Sequence, residues 1–400
     1  LRKLNMPVPE NIHFTLTSGD LDSGLLDQLE NFMQEHPDTS LIVIDTFQKI
    51  RGSLKEGTLF ANDCKEMNLL KAFADKYNIA IVGATGMVGR TFLKVLEEIK
   101  LPVENYYLMA SARSAGSKVE FMGKEYVIEE LTENSFDKDI DIALFSAGGS
   151  TSEKFAPIAA SKGVVVIDNS SAWRMDPEVP LVVPEVNPED IKKHQGIIAN
   201  PNCTTIIMSL PLFPLYKEFG IERVTVCTYQ AASGAGAIAM EELRKESIAV
   251  GEGKPFERTV FPYQYAFNLF PHNSPFNDGS EEKAKVKAPK GYCEEEWKMV
   301  AETRKIFHDE SICVAPTCIR VPVLRAHSEA INVQLKKQAS VEQIYEVLRT
   351  KAQNVEILED ASANRWPMPL DASGKDPVLV GRIREDRSQK NTFDLWVVGD

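Results

Sequence analysis

At residues 78–89 a short apolar run, NIAIV, passes without a linker into Gly83-Ala84-Thr85-Gly86-Met87-Val88-Gly89, and an amphipathic stretch continues to about Ile99. A GxxGxxG turn between a strand and a helix constrains a chain strongly. Its glycines allow a sharp backbone turn and close approach to a pyrophosphate, which then rests at the positive end of the helix. Alone, the pattern would also suit an ordinary tight strand-to-helix turn. Here it continues: residues 106–110, 141–145 and 164–167 read as further apolar strands separated by helical stretches. Strands alternating with helices predict a parallel, doubly wound Rossmann-type sheet. The loops after the carboxyl ends of those strands should then line a cofactor crevice.

The end of the second strand chooses between cofactors. An NAD enzyme usually carries Asp or Glu there to hold the ribose 2′-hydroxyl. This chain carries Ser111-Ala112-Arg113-Ser114. A cation flanked by two hydroxyls suits a 2′-phosphate, so the pattern predicts NADP; the plain alternative is a solvated loop arginine.

Further on, NPNCTT at 200–205 precedes an apolar stretch. Asn202 is a good N-cap, which places Cys203 in the first turn of a helix. The helix dipole is expected to favour the thiolate there and to lower the thiol pKa from about 8.5. A thiolate beside a nicotinamide site points to an aldehyde or acyl-group dehydrogenase working through a thioester. By itself, Cys203 would more often be a small buried residue.

Taken together and in this order, GATGMVG, NSSAWR, NPNCTT, TYQAASGAG and RVPVLRAHSE resemble the aspartate-semialdehyde dehydrogenase family over about residues 77–400. The resemblance implies a Rossmann-type cofactor domain at 77–202 and an α+β catalytic and dimerisation domain at 203–400. It also implies NADP-dependent reduction of L-aspartyl 4-phosphate to the semialdehyde and phosphate, on the route to lysine, methionine and threonine. Cys203 matches the nucleophile, Gln230 the glutamine that orients substrate near the sulfur, and His327 the general acid/base. Arg320 matches the residue that grips the substrate α-carboxylate, Arg174 and Lys298 the phosphate-binding cations, and Glu295 the acid that meets the amine. Glu295 and Lys298, three apart on a helix, should share a face. On the cofactor side the match covers Gly83, Thr85, Gly86, Met87 and Val88 at the pyrophosphate turn. It also covers Ser111, Arg113 and Ser114 at the 2′-phosphate, and Ser233 and Gly234 beside the nicotinamide. No metal is implied. The partners implied are a small-molecule substrate, phosphate, and a second copy of the chain, as a homodimer or dimer of dimers. Relatives continue past the end of this chain into a helix, so the reading expects that helix to be missing.

Before residue 77 the sequence changes character and is expected to form an appended α/β fragment, residues 1–76. It opens on Leu1 rather than Met, which reads as a fragment. Residues 23–36 read as an amphipathic helix with Leu25, Leu26, Leu29 and Phe32 on one face, LIVIDTF at 41–47 as a strand ending near Asp45, and 62–77 as a second helix. The wording resembles the middle of a RecA-type, RepA-like ATPase. No GxxxxGK[ST] phosphate loop occurs there, so Asp45 is expected merely to end a strand.

Bulk properties exclude some classes. The net charge of −13, with no basic run, argues against nucleic acid and anionic membranes. No apolar run approaches the ~20 residues that cross a bilayer. Six cysteines without CxxC pairing fit a reducing, cytoplasmic setting. The competing functions are N-acetylglutamyl-phosphate reductase or glyceraldehyde-phosphate dehydrogenase, an inactive fusion with an ATPase fragment, and a catalytically dead binding homologue.

Overall fold

A computed structural model describes residues 25–36, 77–283 and 286–400. The chain divides into two compact units, Leu1–Asn78 with Lys100–Asn105, and Ile79–Ile99 with Tyr106–Asp400. In the first, α1 (Leu25–Glu35) is the amphipathic helix expected at 23–36. The strand expected at 41–47, with Asp45, and the helix expected at 62–77, up to residue 76, lie outside the described residues. Tyr77 opens a strand instead.

The first sheet grows from the glycine turn. β1 (Tyr77–Val82) leads into α2 (Met87–Ile99), and β2 (Val103–Ala110) follows. A hairpin of β3 (Lys118–Phe121) and β4 (Lys124–Val127), not anticipated from the sequence, precedes the two-residue β5 (Glu129–Glu130). Then come β6 (Ile142–Phe145), α3 (Gly149–Ser161), β7 (Val165–Asp168) and β8 (Ile197–Ala199). The strand order is β5-β2-β1-β6-β7-β8, and β1–β6, β6–β7 and β7–β8 are parallel. Chain order reverses between β1 and β6. In open α/β sheets the ligand crevice lies at that switch point, beyond the carboxyl ends of the strands.

The second sheet spans residues 221–399. It is preceded by α4 (Cys203–Phe219). Its members are β9 (Ile221–Gln230), β10 (Phe270–Pro271), β11 (Cys313–Arg320), β12 (His327–Leu335), β13 (Val355–Ile357), β14 (Val378–Glu385) and β15 (Thr392–Gly399). Between them lie helices α5 (Ala237–Gly251), α6 (Glu294–Phe307), α7 (Val341–Lys351) and the short α8 (Pro369–Ala372). The order is β10-β11-β9-β12-β15-β14-β13, mixed in direction: β9 runs parallel to β11 and antiparallel to β12. On β15 the alternation Phe393, Leu395, Val397 is buried, as the sequence predicts for one inward face. α4 packs on β12 and β15, and α6 on β11. α4 is apolar nearly all round, and its burial follows from that composition. The whole is α/β in the first sheet and α+β in the second, as anticipated.

Candidate active site

The cofactor end is made largely of backbone. Gly83 has φ +90°, and a Cβ there would stand 2.3 Å from the Ser146 carbonyl oxygen after β6. Gly89 lets α2 close on the turn, since a Cβ would meet the Gly83 carbonyl oxygen at 2.1 Å. Only glycine fits at both places. Thr85, Met87 and Val88 are half-buried at the start of α2, and Gly86 is exposed. The Thr85 hydroxyl reaches Ser114 at 3.4 Å, which brings the glycine turn beside the loop after β2. In that loop Ser111 and Arg113 are exposed. An open backbone turn at a helix start, with an exposed guanidinium beside it, fits a dinucleotide carrying an extra phosphate.

The other expected side chains gather around α4. Asn202 caps the helix, its side-chain oxygen accepting from the Thr204 N–H at 3.1 Å. This puts Cys203 at the first helical position, exposed to the cleft. The Asn202 amide donates to Glu295 at 2.9 Å, and Glu295 in turn accepts from Lys298 at 3.0 Å. The Gln230 amide donates to the same Glu295 oxygen as Asn202, at 3.4 Å. The expected pairing of Glu295 and Lys298 along one helix face is therefore present.

His327 and Arg320 meet the same cleft from the start of β12 and the end of β11, on either side of β9. The Ala231 N–H donates to His327 Nδ1 at 3.1 Å. Nδ1 is thus an acceptor, and the neutral ring carries its hydrogen on Nε2. Arg320 donates to the Ala231 carbonyl at 2.9 Å, and its Nε has no partner among the described residues. Gly234 lies between them: a Cβ there would fall 3.0 Å from an Arg320 nitrogen and 3.1 Å from His327 Nε2. Its lack of a side chain keeps both groups open. Ser233 is fixed nearby by its N–H to the Leu324 carbonyl at 3.0 Å.

Arg174 comes from the loop after β7. Its Nε donates to the Ser170 carbonyl at 3.0 Å and another nitrogen to the Asn169 carbonyl at 3.2 Å. The remaining terminal nitrogen pairs with Glu302 on α6 at 3.1 Å. Glu302 was not anticipated. It also accepts from the Asn202 N–H at 2.6 Å. On the same helix, Lys305 donates to the carbonyls of Arg174, Asp176 and Val179 at 2.6–2.8 Å. Glu302 lies on the buried stripe of α6 with Glu295, Met299 and Ile306, and that spacing is the signal that marks it; Lys305, three residues on, is half-buried. Tyr265, also unanticipated, donates to the carbonyl of Val321, below Arg320.

The electrostatics overturn one expectation. The Cys203 thiol is not lowered overall, although its helix start draws it down; it is pushed up to about 12. Although the residue faces the cleft, the protein packed around the sulfur strips it of water, and the Glu295 carboxylate adds repulsion. Arg320, the Thr204 N–H and Arg174 pull the other way without winning. Burial pushes Glu295 up as well, but Lys298 and the Asn202 amide help hold it down at about 2. Burial, then Arg320, lowers His327 to about 4, so its imidazole is neutral at neutral pH.

Residues 78–194 match the family model "Semialdehyde dehydrogenase, NAD binding domain", and residues 212–400 match "Semialdehyde dehydrogenase, dimerisation domain". The aspartate-semialdehyde dehydrogenase of Aquifex aeolicus is 55% identical over 328 residues, covering 81% of this chain and 93% of the relative. A crystal structure of aspartate semialdehyde dehydrogenase II from Vibrio cholerae, complexed with ASA, is 45% identical with TM-score 0.76, covering 82% of this chain and 93% of that one. The Candida albicans enzyme, solved with NADP, is 26% identical with TM-score 0.60, covering 81% and 93%.

Proposed function

The chain belongs to the aspartate-semialdehyde dehydrogenase family, and from that premise we propose that Cys203 carries the acyl group in an NADP-linked, phosphate-releasing reduction of L-aspartyl 4-phosphate to L-aspartate 4-semialdehyde. The single observation that carries this reading is the cluster at the start of α4. One exposed thiol faces an acid for an amine, an arginine for a carboxylate, and two cations for a phosphate.

In this mechanism the two substrate ends are held first. Arg320 takes the α-carboxylate, Glu295 the α-ammonium, and Arg174 with Lys298 the phosphate. Pairing with the ammonium offsets the Glu295 charge, which adds to burial in keeping the thiol protonated. Sulfur then attacks the acyl carbon, the carbon–oxygen bond to phosphate breaks, and the thiol proton passes to the departing phosphate. Gln230 orients the carbonyl. His327 presents Nε2–H toward the carbonyl oxygen and stabilises the charge that forms there. When bound, the nicotinamide cofactor supplies the hydride that reduces the thioester. Collapse of the thiohemiacetal releases the aldehyde and a thiolate, which takes a proton from solvent to restore the thiol. Gly83, Thr85, Gly86, Met87 and Val88 would hold the pyrophosphate, Ser111, Arg113 and Ser114 the 2′-phosphate, and Ser233 with Gly234 the nicotinamide side.

In the same reading, residues 77–202 form the NADP-binding domain and 203–400 the catalytic and dimerisation domain. Residues 1–76, with their ATPase-like wording, take no part in the chemistry. The enzyme works in the cytoplasm as a homodimer or dimer of dimers. A cleft of about 1000 Å³ lies away from Cys203. It lies on the opposite face of the second sheet, against Thr225, Cys227, Thr317 and Trp396. That half-buried face, within the segment matched as a dimerisation domain, is where the second copy would sit. The test is an NADP-linked assay with aspartate semialdehyde and inorganic phosphate. NADPH formation that needs phosphate is expected; formation independent of phosphate, or a preference for N-acetylglutamate semialdehyde, would overturn the reading.

A further inference from the structure

We propose that Glu302 is a positioning residue that locks the phosphate-binding arginine and the nucleophile turn into one rigid unit. The proposal rests on the reading of Arg174 as a phosphate cation. One oxygen of Glu302 accepts from Arg174 at 3.1 Å, and the other accepts from the Asn202 N–H at 2.6 Å. Asn202 is the residue that caps α4, immediately before Cys203. The same asparagine donates its side-chain amide to Glu295 at 2.9 Å. Two carboxylates seven residues apart on α6, roughly 10 Å along the axis, therefore grip the nucleophile turn through its main chain and its side chain.

A carboxylate at this place needs a reason. Glu302 is 1% exposed, and its neighbours on the buried stripe include Met299 and Ile306. A charge there is costly unless it is paired and hydrogen-bonded, whereas an apolar side chain would fill the space without cost. Both of Glu302's oxygens are spent on functional groups rather than on the fold of α6 itself. On the other side, the three hydrogen bonds of Arg174, to Ser170, Asn169 and Glu302, leave two of the five guanidinium N–H groups for a ligand. Lys305, one turn further along α6, ties down the carbonyls of Arg174, Asp176 and Val179. α6 thus holds the Arg174 loop by its guanidinium and by its backbone. Phosphate bound at Arg174 sits at a fixed place relative to Cys203 because the same carboxylate holds both.

Orientation and charge make opposite forecasts, which makes the idea testable. If Glu302 were only a counter-charge, removing it would draw phosphate in more tightly. If it positions Arg174, removing it should weaken phosphate. The experiment is steady-state kinetics of phosphate-dependent semialdehyde oxidation on the full chain, with Glu302→Gln, Glu302→Asp, Arg174→Ala and the double variant Arg174→Ala/Glu302→Gln. Glu302→Gln should raise KM for phosphate roughly tenfold to a hundredfold, the scale of one hydrogen bond to a charged group. KM for semialdehyde and NADP affinity should stay within about twofold of the parent. Glu302→Asp, which keeps the charge, should recover part of the loss. The double variant should be no worse for phosphate than Arg174→Ala alone, because the two residues act as one. An unchanged or lowered KM in Glu302→Gln, or a double variant whose loss is the product of the two single losses, overturns the proposal. If Arg174→Ala raises KM while Glu302→Gln leaves it alone, Glu302 fails and the phosphate assignment stands. If Arg174→Ala itself leaves KM alone, the assignment fails and takes Glu302 with it. Should Glu302→Gln not fold, as melting and NADP binding would reveal, Glu302→Asp carries the test: a raised phosphate KM with parental NADP affinity supports the proposal, and a parental KM overturns it.

Discussion

At the turn after β1 the protein offers a ligand chiefly main chain and exposed side chains, with Gly86, Ser111 and Arg113 open to solvent. Around Cys203 it offers side chains already fixed by buried carboxylates: Glu295 is 6% exposed and Glu302 1%. The difference follows from ligand size. A dinucleotide is long enough to gain affinity from many backbone contacts spread over a crevice, so its site need not bury charge beforehand. A four-carbon acyl phosphate has little area and several charges. Its site must hold oriented opposite charges in place before it arrives, and their desolvation is met during folding.

The sharpest way to break this contrast is to remove the thiol. Cys203→Ala is expected to abolish phosphate-dependent turnover while NADP binds as before, read by fluorescence titration. Substantial residual turnover would sink the thioester mechanism, and lost NADP binding would show the two regions to be one. Next in size is His327→Ala, expected to slow turnover by roughly 10²–10³-fold, the cost of one lost donor to a developing oxyanion, again with cofactor affinity unchanged. An unaltered rate would make His327 structural.

Acid should weaken the preset region. His327 is held near pKa about 4, below an ordinary value of about 6.5. The unfolded chain therefore binds a proton between those values that the folded chain refuses. Stability is full above about pH 6.5 and falls as pH drops toward 4, by roughly 3 kcal/mol from this group. Glu295, held at about 2, adds a further loss as pH falls below about 4.5. Thermal melts from pH 7 to pH 4 should show the decline, and His327→Gln should flatten its upper part. An identical slope in that variant would assign the loss elsewhere.

Smaller effects belong to the open region. Arg113→Ala should narrow the preference for NADP over NAD by roughly tenfold, the worth of one phosphate contact, and leave the phosphate KM untouched. Equal kinetics with the two cofactors in the parent would refute the 2′-phosphate assignment. Smallest of all, deletion of residues 1–76 should leave kcat within about twofold, since the family models begin at residue 78. A large loss of activity would show that this stretch supports the enzyme.

The two regions also differed in how far their sequence could be read. β1, the glycine turn and α2 are contiguous, and their chemistry is local, so the motif alone predicts them. The same is true of the alternation in β15 and of the Asn202 cap. Arg174, Gln230, Glu295, Arg320 and His327 are scattered over some 150 residues, and no periodicity unites them; only resemblance picked them out. Glu302 went unread because an acid on a helix among other charges looks solvated until the fold buries it. The thiol was misread for a related reason. The helix that lowers its pKa is adjacent in sequence, whereas the burial and the Glu295 carboxylate that raise it arrive through the tertiary structure.

That raised thiol has a consequence for the protein during its own synthesis. Cys203 leaves the ribosome 92 residues before Glu295, counting 295 minus 203, and α6, β11 and β12 follow later still. At typical elongation rates the interval is roughly 5–20 s. Through it the sulfur is an ordinary cysteine, with a pKa of about 8.5 and several per cent thiolate at neutral pH. Completion of the second sheet raises it, because the protein packed around the sulfur strips it of water, and the thiolate fraction falls. The nucleophile is thus more open to peroxide and to stray disulfides as a nascent segment than in the finished chain with its substrate site empty. Oxidative damage to this enzyme should therefore track the rate of new synthesis more closely than the amount of folded protein.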